Sequence, residues 1–194
     1  MNNKELNKQE RIVVIEGPSG AGKDTIIKEL IKRYPTKFAK LISVATRAMR
    51  PTESQGNPYI FVTNPEFDAL VDSGDIFEFT VRHGEKRGMS EKYIREILEQ
   101  NKIPLKDCDL VGVKALKQRF DNVTTIFIMA DKKEIEHRLR ARGDSAPDIM
   151  VRLKDYDQCI LEAPHYDYVI ENKDLNKTID KILSIIYNSK HGKQ

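Results

Sequence analysis

The segment Gly17-Pro18-Ser19-Gly20-Ala21-Gly22-Lys23-Asp24-Thr25 concentrates the residue types that hold a polyphosphate. Glycines at 17, 20 and 22 let the backbone turn tightly enough for its N–H groups to face phosphate oxygens, and a helix opening behind them adds the positive end of its dipole. Lys23 follows the last glycine directly, where its ammonium can reach the β- and γ-phosphates of a nucleotide. The next position, which in such loops supplies a hydroxyl for Mg²⁺, is Asp24. A carboxylate also ligates Mg²⁺ but brings negative charge toward the phosphates; Thr25, one place on, offers a hydroxyl. The plainer reading of the segment is a glycine-rich strand-to-helix turn without a ligand.

Further along, charged side chains recur near predicted strand ends, where ligands gather in open α/β folds. Arg47 and Arg50 follow a strand expected over residues 38–44. Their two guanidinium groups could clamp a phosphate, or stand solvated in an exposed loop. Glu78 lies inside an apolar run at 75–81. Buried, it needs a partner such as the ring N–H and amino group of a purine; at an edge, it faces water. Asp107 and Asp109, separated by one residue in a strand expected over 103–112, share a face and could hold Mg²⁺ or orient a substrate, or sit solvated in a turn. Arg138, Arg140, Arg142 and Arg152 surround the break at 143–147, a composition suited to a hinged lid that carries cations over a phosphate. Singly, each also fits a helix-surface ion pair.

The elements that must position these residues alternate between strand and helix. Strands are expected over 12–15, 38–44, 59–62, 75–81, 103–112, 124–129 and 168–170. Helices are expected over 25–30, 65–71 with Asn64 as cap, 91–100 with Ser90 as cap, 113–120, Asp131 to about 140, 151–161 and 175–187. Residues 82–88 read as a polar turn, residues 1–10 as a loose arm, and the end beyond the last helix as frayed. This is an α/β pattern in one domain over 1–194, with a parallel sheet at its core. Lys and Arg number 33 against 30 Asp and Glu, a formal charge of +3 with both signs mixed, which opposes a dedicated nucleic-acid surface but not anionic small substrates. Cys108 and Cys159 do not make a disulfide framework, and the four histidines show no metal-ligand spacing. No apolar run approaches ~20 residues and no leader opens the chain, so a soluble, cytoplasmic protein without membrane contact is expected.

Taken together, these residues resemble the guanylate kinase family from the glycine-rich loop to the last helix. Ser43, Thr46-Arg47, Arg50-Pro51, Gly56, Tyr59, Phe61-Val62, Glu66-Phe67, Gly74 and Glu78 fall in the order and spacing of that family's GMP site. The resemblance implies an α/β P-loop kinase with a small NMP-binding substructure over about 41–88 and a lid over about 142–152. It implies transfer of the γ-phosphoryl group of ATP–Mg²⁺ to GMP by a monomer or homodimer. By it, Arg47, Arg50 and Tyr59 hold the substrate phosphate, Ser43 and Glu78 read the guanine, and Asp109 lies near base and metal. Arg138, Arg142 and Arg152 reach the ATP phosphates or the transferring group, and Asn172 stands beside the adenine.

The departures are concentrated at Arg87-Gly88-Met89, where the family has Tyr-Gly-Thr/Ser. Arg87 replaces a phosphate-binding tyrosine and adds charge. Met89 stands where a hydroxyl meets the guanine carbonyl, a loss on the order of 1 kcal/mol of base discrimination. Ser90 follows one place later, where a shifted loop would bring its hydroxyl to the base. The Gly-Lys-Asp ending of the loop and the short Met129-Ala130-Asp131 approach to the arginine helix are similar instead to ribose 1,5-bisphosphate phosphokinase, while Ser43, Arg50, Tyr59 and Glu78 converge on a purine monophosphate. A non-catalytic guanylate-kinase-like module of the scaffold-protein kind typically lacks the loop lysine, which is retained here.

Overall fold

Four consecutive apolar residues, Ile12 to Ile15, are all buried to within 1%, as in a strand covered on both faces. In the computed structural model, which describes residues 11–188, they form β1 (Ile12–Glu16) at the centre of a five-stranded sheet. The chain continues through α1 (Lys23–Arg33), β2 (Phe38–Lys40), β3 (Val44–Ala45), β4 (Ile60–Phe61), α2 (Asn64–Asp72), β5 (Ile76–Arg82), β6 (Glu85–Ser90) and α3 (Glu91–Glu99). It then runs through β7 (Ile103–Lys106), α4 (Leu110–Arg119), β8 (Val123–Met129), α5 (Lys132–Arg142), α6 (Ala146–Ile160), β9 (Tyr168–Glu171) and α7 (Leu175–Asn188). The strand order is β2-β7-β1-β8-β9, every neighbouring pair parallel. The expected parallel core is therefore present. The loose arm at 1–10 and the frayed end beyond the last helix lie outside the described residues.

Side-chain alternation along β1 divides the core. Val13 and Ile15 point into a cluster with Ile26, Ile27 and Leu30 of α1, Ile135 and Leu139 of α5, and Ile179 and Ile182 of α7. Ile12 and Val14 point the other way, toward Ile94 of α3 and Val113 and Leu116 of α4. A second sheet, in the order β4-β3-β6-β5, stands beyond the carboxyl edge of β7 and rests on a small core of Val44, Phe67 and Ile76.

Four sequence expectations need correction. The single strand expected over 38–44 is two: β2 joins the main sheet and β3 the small one, because the chain leaves one sheet for the other between Leu41 and Ser43. The polar turn expected over 82–88 is confined to His83 and Gly84, both at positive φ, and Arg87, Gly88 and Met89 lie in β6, paired to β5. The cap of α2 is Thr63 rather than Asn64. Its hydroxyl accepts from Glu66 N while the Glu66 carboxylate accepts from Thr63 N at 2.7 Å, a reciprocal capping box. Likewise β7 stops at Lys106, so Asp107 and Asp109 sit in the loop after the strand instead of on its face.

Candidate active site

The glycine-rich loop runs from the end of β1 into α1. Gly17 has φ +146°, and a Cβ there would lie 2.1 Å from the carbonyl oxygen of Ile128, so the loop crosses the end of β8 too closely for any side chain. Gly22, at φ +101°, is the residue before α1, and no side chain caps that helix. Its first-turn N–H groups are thus left for a ligand. This glycine cradle and bare helix terminus suit a polyphosphate.

Lys23 Nζ donates to the carbonyls of Gly17 and Pro18 (3.2 Å for the latter) and lies 3.6 Å from a Glu16 carboxylate oxygen. Burial raises the Glu16 carboxyl, with Lys23 acting in the opposite sense. Asp24 and Thr25 are exposed in the first turn of α1. Among the described residues no group of three or more His, Cys, Asp or Glu could hold a metal. In nucleotide sites Mg²⁺ is usually held by one or two carboxylates together with substrate phosphates, and the exposed Asp24 beside the cradle offers one such carboxylate.

Asn172, after β9, is 6% exposed and pins this loop. Its Nδ2 donates to Ala21 O at 2.7 Å, and its Oδ1 accepts from Thr178 Oγ1 at 3.0 Å. Arg138 of α5 donates to Ala21 O at 3.3 Å and Asn172 O at 2.9 Å, against the loop's backbone. Arg142 and Arg152 converge on Asp144: Arg142 Nε donates to Oδ1 at 2.7 Å, and Arg152 Nε lies 3.3 Å from Oδ2. Arg152 also donates to Ser19 in the loop, so α6 reaches back over the phosphate cradle. The pairing raises the Arg142 guanidinium and lowers the Asp144 carboxyl.

A cleft of about 260 Å³ opens between the small sheet and the carboxyl end of β7. It brings together Ser43, Tyr59, Glu78, Arg87 and Asp109, which the sequence scatters over 67 positions from 43 to 109. Glu78, half-buried on β5, has its carboxyl raised first by burial and then by Asp109, with Lys106 opposing. Arg87 donates to Tyr59 Oη at 3.0 Å and its guanidinium carbon lies 4.9 Å from that ring's centroid. Arg47 flanks the cleft: its guanidinium carbon is 5.1 Å from the Tyr59 ring and 5.2 Å from Phe61. Its fork engages both Glu53 oxygens, at 2.7 and 2.6 Å, holding that carboxyl down at about 2, while its buried Nε has no partner. Arg50 is exposed outside the cleft, and only its backbone N–H reaches Glu53. Asp109 Oδ1 accepts from Gly112 N at 3.0 Å and so caps α4 while lining the cleft.

At the departures, Met89 is 2% exposed and packs with Ile12, Val14 and Leu41 while forming part of the cleft wall. Ser90 does not supply the missing hydroxyl. It is fully buried, donates to Asp75 Oδ2 at 2.6 Å and caps α3. Lys106 was not singled out from the sequence. It is 8% exposed at the end of β7, lines the cleft and donates to Ser43 Oγ at 2.6 Å. Burial pulls its ammonium below the ordinary 10.5. The available signal was a lysine closing an otherwise apolar strand. The carboxylates of Glu16, Glu53 and Asp144, each holding a cation of the site, were also passed over, because no spacing ties them to their arginine or lysine.

A parallel sheet with a glycine cradle at the end of its central strand, and a polar cleft over the neighbouring strand's carboxyl edge, defines a P-loop phosphotransferase of the nucleotide kinase class. The guanylate kinase family model matches residues 9–189. The chain is 34% identical over 180 residues to a guanylate kinase of Thermosynechococcus vestitus, covering 92% of this chain and 94% of that one. It is 36% identical over 177 residues to a guanylate kinase of Rickettsia typhi, covering 90% and 89%. The crystal structure of guanylate kinase from Anaplasma phagocytophilum superposes with a TM-score of 0.68 at 28% identity over 96% of this chain and 89% of that one. The chain belongs to the guanylate kinase family.

Proposed function

We infer that this chain phosphorylates GMP at the expense of ATP, yielding GDP and ADP. The observation that carries the reading is the cleft beside the glycine cradle, where a carboxylate, a hydroxyl and the Tyr59-stacked Arg87 meet, with Arg47 on the Tyr59 ring at its flank. Glu78 accepts from the guanine N1–H and amino group, and Ser43 contacts the same base. Arg47, Tyr59 and Arg87 hold the GMP phosphate, with Arg50 joining from the exposed loop. Asp109 orients the acceptor from the helix end.

On the donor side the backbone of residues 17–25 and Lys23 hold the ATP phosphates. Arg138 and Asn172 keep that loop in shape beside the nucleotide, and Arg142 and Arg152 neutralise charge on the transferring group. Asp24 and Asp109 would hold Mg²⁺ together with the phosphates, and the ion would supply further charge neutralisation there. No protein nucleophile or base is required, because the work is alignment of two anions and screening of their charge in a closed site. The substructure over about 41–88 and the lid over about 142–152 move toward one another, excluding water that would compete for the phosphoryl group. We infer a cytoplasmic enzyme, monomer or homodimer, acting on nucleotides and not on nucleic acid or membranes; no helix among the described residues is long and apolar enough to cross a membrane.

The test is ADP production from ATP–Mg²⁺ with GMP, dGMP, AMP, UMP, ribose 1,5-bisphosphate or no acceptor. Turnover with GMP and dGMP well above the rest is expected. Turnover confined to ribose 1,5-bisphosphate would make Arg87 and Met89 marks of another acceptor, and silence on every acceptor would favour a binding module.

A further inference from the structure

The amine of Lys106 forms part of the acceptor cleft, at a place where the strand pattern calls for an apolar side chain. Lys106 pairs in register with Val14 of β1, and its neighbour Leu105 is fully buried. Burying an ammonium is unfavourable unless its N–H groups find partners. Ser43 Oγ accepts one of them at 2.6 Å, and an ammonium has three to place. Asp107 and Glu78 act on it electrostatically, and Glu78 is the carboxylate of the same cleft.

The hydrogen bond also sets the polarity of Ser43. Because its oxygen accepts from Lys106, its own O–H is left to donate. Lys106 and Ser43 are therefore neighbouring donors in the cleft, facing the carboxylate of Glu78 as an acceptor. A six-oxo purine presents the complementary edges: O6 and N7 accept, while N1–H and a 2-amino group donate. An adenine presents its N6 amino group where O6 would be, setting donor against donor.

We propose that Lys106 determines base specificity by donating from Nζ to the six-oxo oxygen of the acceptor purine. Its amine takes over the contact that the thioether of Met89, buried in the cleft wall, does not make. This rests on the GMP reading above.

The experiment compares kcat/KM of the wild type and Lys106→Met with three acceptors: GMP, IMP, which keeps the oxo group but lacks the 2-amino group, and 2-aminopurine riboside 5′-monophosphate, which keeps the amino group but lacks the oxo group. Losing a hydrogen bond to a charged donor should lower GMP and IMP use by about 10- to 100-fold and leave the 2-aminopurine nucleotide nearly unchanged. An equal fall on all three, or no fall, would overturn the proposal. Should the methionine variant not fold, the Nζ resonance of ¹⁵N-lysine-labelled wild type serves instead: a shift of the Lys106 signal with GMP and IMP but not with the 2-aminopurine nucleotide is expected, and an identical response to all three would overturn the assignment. A wild type that phosphorylates no GMP would overturn the reading of the reaction, and the resonance experiment would still decide the role of Lys106.

Discussion

Asn172→Ala should loosen the nucleotide loop by an amount that can be worked from its contacts. The substitution removes a donor to Ala21 O at 2.7 Å and an acceptor for Thr178 Oγ1 at 3.0 Å. Each bond contributes about 1 kcal/mol net, and a hydroxyl left unpaired adds about 1–3 kcal/mol. Ala21 O keeps Arg138, at 3.3 Å, so its loss is partial; Thr178, 2% exposed, has no water to turn to. The sum is about 2–4 kcal/mol, or roughly 5–15 °C in Tm for a chain of this size. Urea unfolding should show a lower midpoint at constant slope, and calorimetry a weaker ATP affinity. Thr178→Val in the same background separates the two bonds: the pair should couple by about 1 kcal/mol or more. Gly22 gives a second check, since a Cβ there would lie 2.6 Å from Asn172 Nδ2, so Gly22→Ala should do less harm once Asn172 is alanine. A loss under about 1 kcal/mol with unchanged ATP affinity would refute the argument that Asn172 fixes the loop.

Glu78→Ala should raise KM for GMP about 100-fold or more while sparing ATP binding, since two N–H bonds to a carboxylate are lost; equal damage to both would show that Glu78 does not read the base. Asp144→Asn releases Arg142 and Arg152 from a competing anion and should lower KM for ATP about two- to fivefold, the scale of an exposed ion pair; a rise in KM would mean that Asp144 positions the arginines instead. Glu53 has a folded value of about 2 against an ordinary 4.5, so its pairing with Arg47 stabilises the fold fully above 4.5 and fades as pH falls toward about 2. The stability difference between wild type and Glu53→Gln should follow that window, and a difference flat across it would refute the pairing in solution.

The legible parts of the sequence were those where one residue type has one structural use. Glycines before a lysine, after a run of buried β-branched residues, state a strand, a cradle and a helix at once. β6 was hidden because Glu85-Lys86-Arg87-Gly88 lacks β-branched residues; its strand form comes from pairing with both β3 and β5, which are distant in the chain or reached through the turn. The Thr63 cap was readable from Thr63-x-x-Glu66 and was overlooked in favour of the asparagine beside it. Lys106 and the carboxylates facing the arginines were out of reach for a different reason. Their roles depend on which chain segments meet across the cleft, and local spacing carries no record of that meeting.

Those carboxylates have a consequence for energetics. Lys23 is held near Glu16, Arg47 by Glu53, and Arg142 with Arg152 by Asp144. An arriving phosphate therefore substitutes for an anion the protein already supplies. The number of charge pairs is nearly conserved across association, so few mobile ions are released to bulk. Nucleotide affinity should then depend on ionic strength less steeply than the count of positive side chains suggests, and the displaced carboxylates, returning to solvent, become free to reattach when product leaves.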